Sequence, residues 1–483
     1  MNTKKRSLMI ALMTAMFLGA VEGTVVTTAI PTIVKDLQGF QMISFVFSVY
    51  LLASAITTPI YGKLSDLYGR KNTLSIGIFI FITGSFLCGL SQNMYMLIGF
   101  RVLQGLGAGS IFTVTYTIVG DVFTLEERPK VQGMLGTVWG IASLAGPFLG
   151  GIIIETLTWH WIFFINIPFG ILSVILLQRN IKESFEKKKQ PFDFAGIITL
   201  SAAMLIFLNM FLSMNTGNTN QKPYFIASIT LTLFLLLLFY KIEKKAKEPI
   251  FPFDIFTKES TLANIICFLA STIMIGMDCY MPIYLQNVLG LSAKISGLSM
   301  APMSISWLIA SVVLGRCMVR RGGKAANLIS NGILLVSTLC LPTLGTKSPL
   351  ILVLLYVFIM GFGLGGAFTI LTIMIQQSVE YNKRGAATAA NSLVKTLGET
   401  IGISIFGSVF NLFLTKFFVE RGIHGVDPGN LYKSSTTHPA VTGELTKEAL
   451  NSSLHILLIL FLIISILCMI LSVCIPDKNK ASD

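Results

Sequence analysis

Fourteen stretches of this chain are long and apolar enough to cross a lipid bilayer, and little sequence remains between them for anything else. They run approximately over 7–30, 41–61, 73–91, 94–118, 131–154, 161–178, 194–214, 224–240, 261–284, 295–314, 325–345, 350–374, 386–415 and 452–475. A helix rising 1.5 Å per residue needs about 20 mainly apolar residues to span the hydrocarbon layer. Lipid offers no hydrogen bonds, so each span must satisfy its own backbone, which predicts helices throughout. A barrel strand would need alternating apolar and polar residues, and no such pattern is present. The composition agrees: 53% of the 483 residues are hydrophobic and only 12% are charged, against about 25% in soluble domains. The expected fold class is an all-α integral membrane protein.

The net charge of +13 would suit a nucleic-acid partner if the basic residues formed one patch. They are instead distributed over the short loops. With the N-terminus inside, 26 Lys and Arg residues fall in the cytoplasmic loops and tails, 8 fall outside, and Arg101 and Lys395 lie within spans. This asymmetry predicts a multi-pass protein of the cell membrane with both termini in the cytoplasm, and makes nucleic acid an unexpected partner. Met1–Ala20 resembles a signal peptide, with Lys4, Lys5 and Arg6 ahead of an apolar run, but the run continues through Glu22 without a small-residue cleavage site. It is read as a retained first helix. Seven cysteines lie mostly in apolar segments, none in a CxxC pair, so no structural disulfide is expected.

The chain also repeats itself at a nearly constant offset. Pro31 and Gly39 recur as Pro282 and Gly290, Gly62 and Gly69 as Gly315 and Gly322, and Gly105, Gly107 and Gly109 as Gly361, Gly363 and Gly365. Arg128, Gly146 and Gly151 recur as Arg384, Gly402 and Gly407. Two halves of matching topology, related by a pseudo-twofold and holding a substrate site between them near the midplane, are a transporter design. The domain reading is therefore 1–180 as an N-terminal six-helix bundle and 181–260 as charged cytoplasmic linkers carrying two inserted helices. Residues 261–483 form the C-terminal six-helix bundle, with an outer loop over 418–450.

Three motifs stand out. The loop Gly62-Lys-Leu-Ser-Asp66-Leu-Tyr-Gly69-Arg70-Lys71 has glycines for a tight turn and close helix approach, and Asp66 can pair with a cation or a helix N-terminus. Span 4 carries Arg101-Val-Leu-Gln104-Gly105-Leu-Gly107-Ala-Gly109, and span 5 carries Gly146-Pro147-Phe-Leu-Gly150-Gly151. Small residues let another helix pack closely, and Pro147 removes a backbone hydrogen bond and offers a pivot. Simple anchoring and packing are the alternative readings of these segments.

Together these segments resemble the signature motifs of the major facilitator superfamily, and specifically its 14-helix drug:proton antiporter family. Glu22-Gly-Thr24-Val-Val-Thr-Thr-Ala-Ile-Pro31 is similar to that family's first-helix motif, with Glu22 in place of the usual Asp. The glycine-proline run resembles its antiporter motif, and Trp159-His-Trp161-Ile-Phe-Phe-Ile-Asn166-Ile-Pro168 and Tyr284-Leu-Gln-Asn-Val-Leu-Gly-Leu-Ser292 look like further family markers. The resemblance implies about fourteen helices arranged six plus two inserted plus six, and a cytoplasmic charge cluster of Asp66, Arg70, Asp121 and Arg128. The second-half copies are degraded, with Val357 opposite Arg101 and Ile403 opposite Pro147, which places the mechanistic roles mainly in the N-terminal half.

Charges inside spans are costly, about 2.5–3.5 kcal/mol each at a helix centre, and usually face a cavity. Glu22, Arg101 and Asp278 fall at similar depth in the outer half of spans 1, 4 and 9, and are the candidate proton and substrate residues. Burial disfavours an ionised carboxylate and a nearby Arg favours it, so a partner that changes with conformation can load and unload a proton. A structural ion pair or a position beside the headgroups is the competing reading. Lys395 and Glu399, four apart on span 13, can pair across one turn; Glu155 is expected to be a helix-end or latch residue.

The function these features support best is a proton-coupled antiporter that exports amphipathic, often cationic small molecules by alternating access, a multidrug efflux activity that would confer antibiotic resistance. The same scaffold could instead export or flip an endogenous lipid, peptide or metabolite. A membrane-embedded enzyme or sensor fits less well. His160, His424, His438 and His455 are scattered without metal-ligand spacing; no GxxxxGK[ST] motif is present; and no segment is long enough for a soluble sensor domain. The expectation is no cofactor and no metal, the proton gradient as energy source, lipid, protons and small amphipathic substrates as partners, and a monomer.

Overall fold

The computed structural model describes residues 3–123, 128–180, 193–214, 221–246, 253–380, 384–423 and 442–476. Most of the charged linkers within 181–260 and much of the outer loop within 418–450 lie outside the described residues, as do the side chains of Asp66, Asp121, Arg128 and Pro147. The described secondary structure is helical, as the apolar runs dictate.

In chain order the helices are α1 (Thr3–Leu37), α2 (Ile43–Tyr68), α3 (Arg70–Gly89), α4 (Met94–Val122), α5 (Arg128–Thr156), α6 (Trp161–Phe164), α7 (Asn166–Asn180), α8 (Phe194–Met214) and α9 (Gln221–Glu243). They continue as α10 (Lys258–Ile283), α11 (Ala293–Arg321), α12 (Gly323–Cys340), α13 (Leu350–Gln377), α14 (Arg384–Glu420) and α15 (Gly443–Cys474). Among the described residues, twelve spans are long and apolar enough to cross a membrane, with α6 and α7 together forming one of them. Helices α5 and α8 are the remaining long ones, α8 contributing a shorter apolar stretch over Phe194–Phe207. The chain is a multi-pass membrane protein.

The sixth span is interrupted where sequence alone predicts one helix. Helix α6 stops at Phe164 and α7 resumes at Asn166. Pro168 has no N–H to give to the Phe164 carbonyl, so the helical ladder loses a rung at that turn.

The chain divides into two compact units, residues 1–38 with 45–250, and residues 39–44 with 251–483. The boundary after Ile250 leaves the inserted pair α8 and α9 with the first unit. Within that unit α1 packs on α5 and α7, and α3 on α4 and α7. Helices α8 and α9 pack chiefly on each other, and α9 turns Leu231, Leu233, Phe234 and Leu237 outward. Such an outer face is stable against lipid and would not be in water. Within the second unit α10 packs on α14 and α15, α11 on α13, and α12 on α13 and α15.

Glycine spacing sets how closely these helices approach. On α4 a Cβ at Gly109 would sit 2.7 Å from the Ser54 carbonyl of α2, and one at Gly107 would sit 2.6 Å from Phe81 Cα of α3. The alternating glycines therefore wedge α4 between two neighbours. In the second unit Gly365 meets the Trp307 carbonyl of α11 at 2.7 Å and Gly363 meets the Leu334 amide nitrogen of α12 at 2.6 Å.

Candidate functional site

About four turns before the C-terminal end of α1, Glu22 is 1% exposed, and Arg101 on α4 is equally buried. Neither side chain faces lipid or headgroups. They form an ion pair, Arg101 Nη1 donating to Glu22 Oε1. Taking two charges out of water is repaid only where the remaining donors and acceptors find partners, and most of them do so here. Arg101 Nη1 also donates to Gln104 Oε1 at 2.7 Å, and Nε donates to the Val46 carbonyl of α2 at 3.1 Å. The guanidinium carbon lies 4.1 Å from the ring centroid of Tyr50, close enough for a cation–π contact.

The other carboxylate oxygen is held from α7. Asn166 Nδ2 donates to Glu22 Oε2 at 2.6 Å and to Ser85 Oγ of α3 at 2.9 Å. Ser85 donates to the Phe163 carbonyl at 2.8 Å and accepts from Gln104 Nε2 at 3.1 Å. Six helices thus meet around one carboxylate through a connected polar network in an apolar surround.

The segment from Trp159 to Pro168, which the sequence offers only as a family marker, acquires a structural job here. Trp159 Nε1 donates to Asp36 Oδ2 near the end of α1 at 2.8 Å, Asn166 reaches Glu22, and Ser173 donates to the Ala11 carbonyl at 3.1 Å. The segment and α7 clasp α1 at three levels. Asn166, Gln104, Ser85 and Tyr50 are the members that sequence reasoning did not single out. The available signal was that all four are polar residues inside spans, and that Gln104 follows Arg101 by one turn.

Asp278 on α10 and Glu399 on α14 are within electrostatic reach of each other in the second unit, and Lys395 is within reach of Glu399. Lys395 and Glu399 form no ion pair, although helical spacing allows one. Lys395 Nζ donates instead to Thr372 Oγ1 of α13 at 3.0 Å and lies 5.0 Å from the centroid of the Phe368 ring. Asn391 Nδ2 donates to Asn264 Oδ1 at 3.0 Å, extending this polar cluster along α14 toward α10. A small apolar pocket in the same unit is lined by Met277, Tyr280, Met281, Tyr284 and Phe461 among others, without a charged group.

The motif residues separate by role. Gly69 has φ +87°, in the region that favours glycine, and is the N-cap of α3, which Arg70 opens. Gly322 ahead of α12 has φ +86°. Gly62 differs from expectation: it lies inside α2, and a Cβ there would meet only Thr113 Cγ2 at an ordinary 3.6 Å. It supplies neither a turn nor a tight approach. Gly146 on α5 does, because an added Cβ would fall onto Thr24 Oγ1 of α1, and one at Gly150 would lie 3.1 Å from the Val25 carbonyl. Gly151 is buried on α5, and Glu155 is exposed near the end of that helix. The side chains of Asp66, Asp121, Arg128 and Pro147 lie outside the described residues, so the cytoplasmic charge cluster is left at the level of sequence.

Residues 12–403 match the family described as Major Facilitator Superfamily. The Multidrug transporter protein MdtP of Bacillus subtilis (strain 168) is 36% identical over 85% of this chain and 76% of its own length. Multidrug resistance protein 3 of the same strain is 34% identical over 94% of this chain and 92% of its own. The Multidrug efflux pump SdrM of Staphylococcus aureus (strain N315) is 32% identical over 89% and 94%. Among solved structures, a bacterial homologue of the human lysosomal transporter Spinster, inward-facing and unoccupied, superposes with a TM-score of 0.71 at 14% identity, covering 98% of each chain. A D-xylose-proton symporter gives 0.65 at 12% identity, over 99% of this chain and all of the other.

Proposed function

The chain belongs to the Major Facilitator Superfamily, a transporter rather than an enzyme, and on that premise we propose that it exports amphipathic, often cationic small molecules in exchange for protons. The relatives named as multidrug transporters and efflux pumps support the substrate class. The observation that carries proton coupling is the Glu22 carboxylate, fully buried within a spanning helix and held by an arginine and an amide from two other helices. A carboxylate costs several kcal/mol to place there, and it can exist in two protonation states whose relative stability changes with its donors. Alternating access then exposes the site to each side in turn, so that one proton enters for the substrate that leaves.

The test is proton release from purified protein in weakly buffered detergent solution, followed with a pH dye while a panel of lipophilic cations is added. Transported compounds are expected to release protons in a saturable way. A panel that binds without any release would remove the antiport reading.

Both termini are proposed to be cytoplasmic, from the 26-to-8 distribution of basic loop residues. Single cysteines introduced at Ser184 and Lys245 are expected to react with an impermeant maleimide only from the cytoplasmic side, and one at Ser434 only from outside. Labelling of Ser434 from the cytoplasm would reverse the orientation.

A further inference from the structure

Both oxygens of the Glu22 carboxylate face donors. Oε1 faces Arg101 Nη1 and Oε2 faces Asn166 Nδ2. The Asn166 amide has two hydrogens and both are committed, one to Glu22 and one to Ser85. The Ser85 hydroxyl is likewise full, giving its hydrogen to the Phe163 carbonyl and accepting from Asn166 and Gln104. Gln104 Oε1 accepts from Arg101 and from the Cys88 thiol at 3.8 Å. The arrangement suits an anion, and none of the bonds to the carboxylate comes from an acceptor that could take the hydrogen of a carboxylic acid.

A proton arriving on Oε2 would therefore put an O–H against an N–H at 2.6 Å, a repulsive contact in a buried site. Two members have spare acceptor capacity, the buried Tyr50 hydroxyl, which is not bonded to Glu22, and Asn166, which already touches the carboxylate and whose Oδ1 has no hydrogen-bond partner among the described residues. Turning the side-chain amide over breaks no bond on the Oδ1 side. It brings Oδ1 to the place that Nδ2 held, where it accepts from the Glu22 acid and from the Ser85 hydroxyl. Ser85 must then withdraw its hydrogen from Phe163, whose carbonyl belongs to the last turn of α6 ahead of the break into α7.

We propose that Asn166 is a positioning residue for proton exchange: its amide holds Glu22 ionised in one orientation and, turned over, accepts from the protonated acid and passes the change through Ser85 to the α6–α7 break. This rests on Glu22 being the proton-carrying group. The charged or titratable groups around Glu22 are Arg101 from α4, with Tyr50 from α2 and Cys88 from α3 within electrostatic reach; among the described residues α5, α6 and α7 add no charge. The proton itself comes from water on the side to which the site is open and returns to water on the other.

The experiment is the pH dependence of substrate-induced proton release from the purified full chain, with tetraphenylphosphonium as probe. Asn166→Leu removes the charge-assisted bond to the ionised form and the weaker neutral bond to the acid together, so the difference is expected to raise the midpoint of release by about one pH unit. Asn166→Asp keeps size and shape and serves where the leucine variant does not accumulate. It sets two carboxylates face to face, so they share a proton and the midpoint is again expected to rise by about one unit or more. A residue that only packs α7 against α1 would change yield or rate and leave the midpoint in place. Glu22→Gln, measured alongside, separates the two ideas. If Glu22→Gln abolishes release while the Asn166 variant keeps the wild-type midpoint, the role of Asn166 is overturned and that of Glu22 stands. If Glu22→Gln releases protons as wild type does, the assignment of Glu22 fails and the inference falls with it.

Discussion

Glu22→Gln is expected to abolish pH-gradient-driven uptake into inverted membrane vesicles while leaving substrate binding in detergent partly intact. Glutamine has the size of the protonated acid and one acceptor for Arg101, but it cannot take up or release a proton. Breaking a buried ion pair usually destabilises by about 3–5 kcal/mol because one charge is left uncompensated. Here Arg101 keeps the Gln104 side-chain oxygen, the Val46 carbonyl and the Tyr50 ring, so the variant is expected to insert and fold. The energetic stake is large. One proton crossing 100 mV supplies roughly 2.3 kcal/mol, equivalent to about fifty-fold accumulation of a neutral substrate. Loss of that coupling should reduce accumulation to what the substrate's own gradient gives. Full pH-dependent transport by Glu22→Gln would move the proton site to Asp278 or Glu399, which share the polar cluster of the second unit.

Gly146→Leu is expected to lower the transport rate by more than about tenfold without a matching loss of protein. The position is confined by Thr24, because an added Cβ lies 2.8 Å from Thr24 Cβ and closer still to its hydroxyl. Thr24 is also bound to this helix, its hydroxyl 3.3 Å from the Ala142 carbonyl. A leucine places four carbons in that contact and must push α1 and α5 apart. Overpacking costs about 1–3 kcal/mol, and each 1.36 kcal/mol in a barrier is a factor of ten in rate. Membrane insertion is not penalised, since leucine is favourable in a span. Gly99→Leu is the control, because a side chain at Gly99 meets nothing within 4 Å. Rates in vesicles normalised to protein amount decide the matter. Wild-type transport by a well-folded Gly146→Leu protein would remove the close approach of α1 and α5 from the mechanism.

The spans and the charged residues within them were legible in the sequence because each is a local property. Apolarity over about 20 residues decides that a segment enters lipid, and a charge within such a segment is conspicuous wherever the helix goes. Glu22 and Arg101 could be named on that ground. Their pairing depends on contacts between residues 79 apart in the chain, and the second carboxylate oxygen is met by Asn166, 144 residues away. No periodicity reaches that far. The same limit explains the differences. Gly62 and Gly146 look alike as letters, but only Gly146 faces a helix close enough to forbid a side chain. Lys395 and Glu399 have the spacing of a helical pair, yet Thr372 and Phe368 on the neighbouring helix take the ammonium instead. The interruption at Ile165 is intermediate, since Pro168 announces it locally. What the break accomplishes is set by packing, which turns Asn166 inward to the one buried carboxylate that α1 offers. Sequence determines which groups are costly to bury; only the close packing of helices decides which neighbours offset that cost.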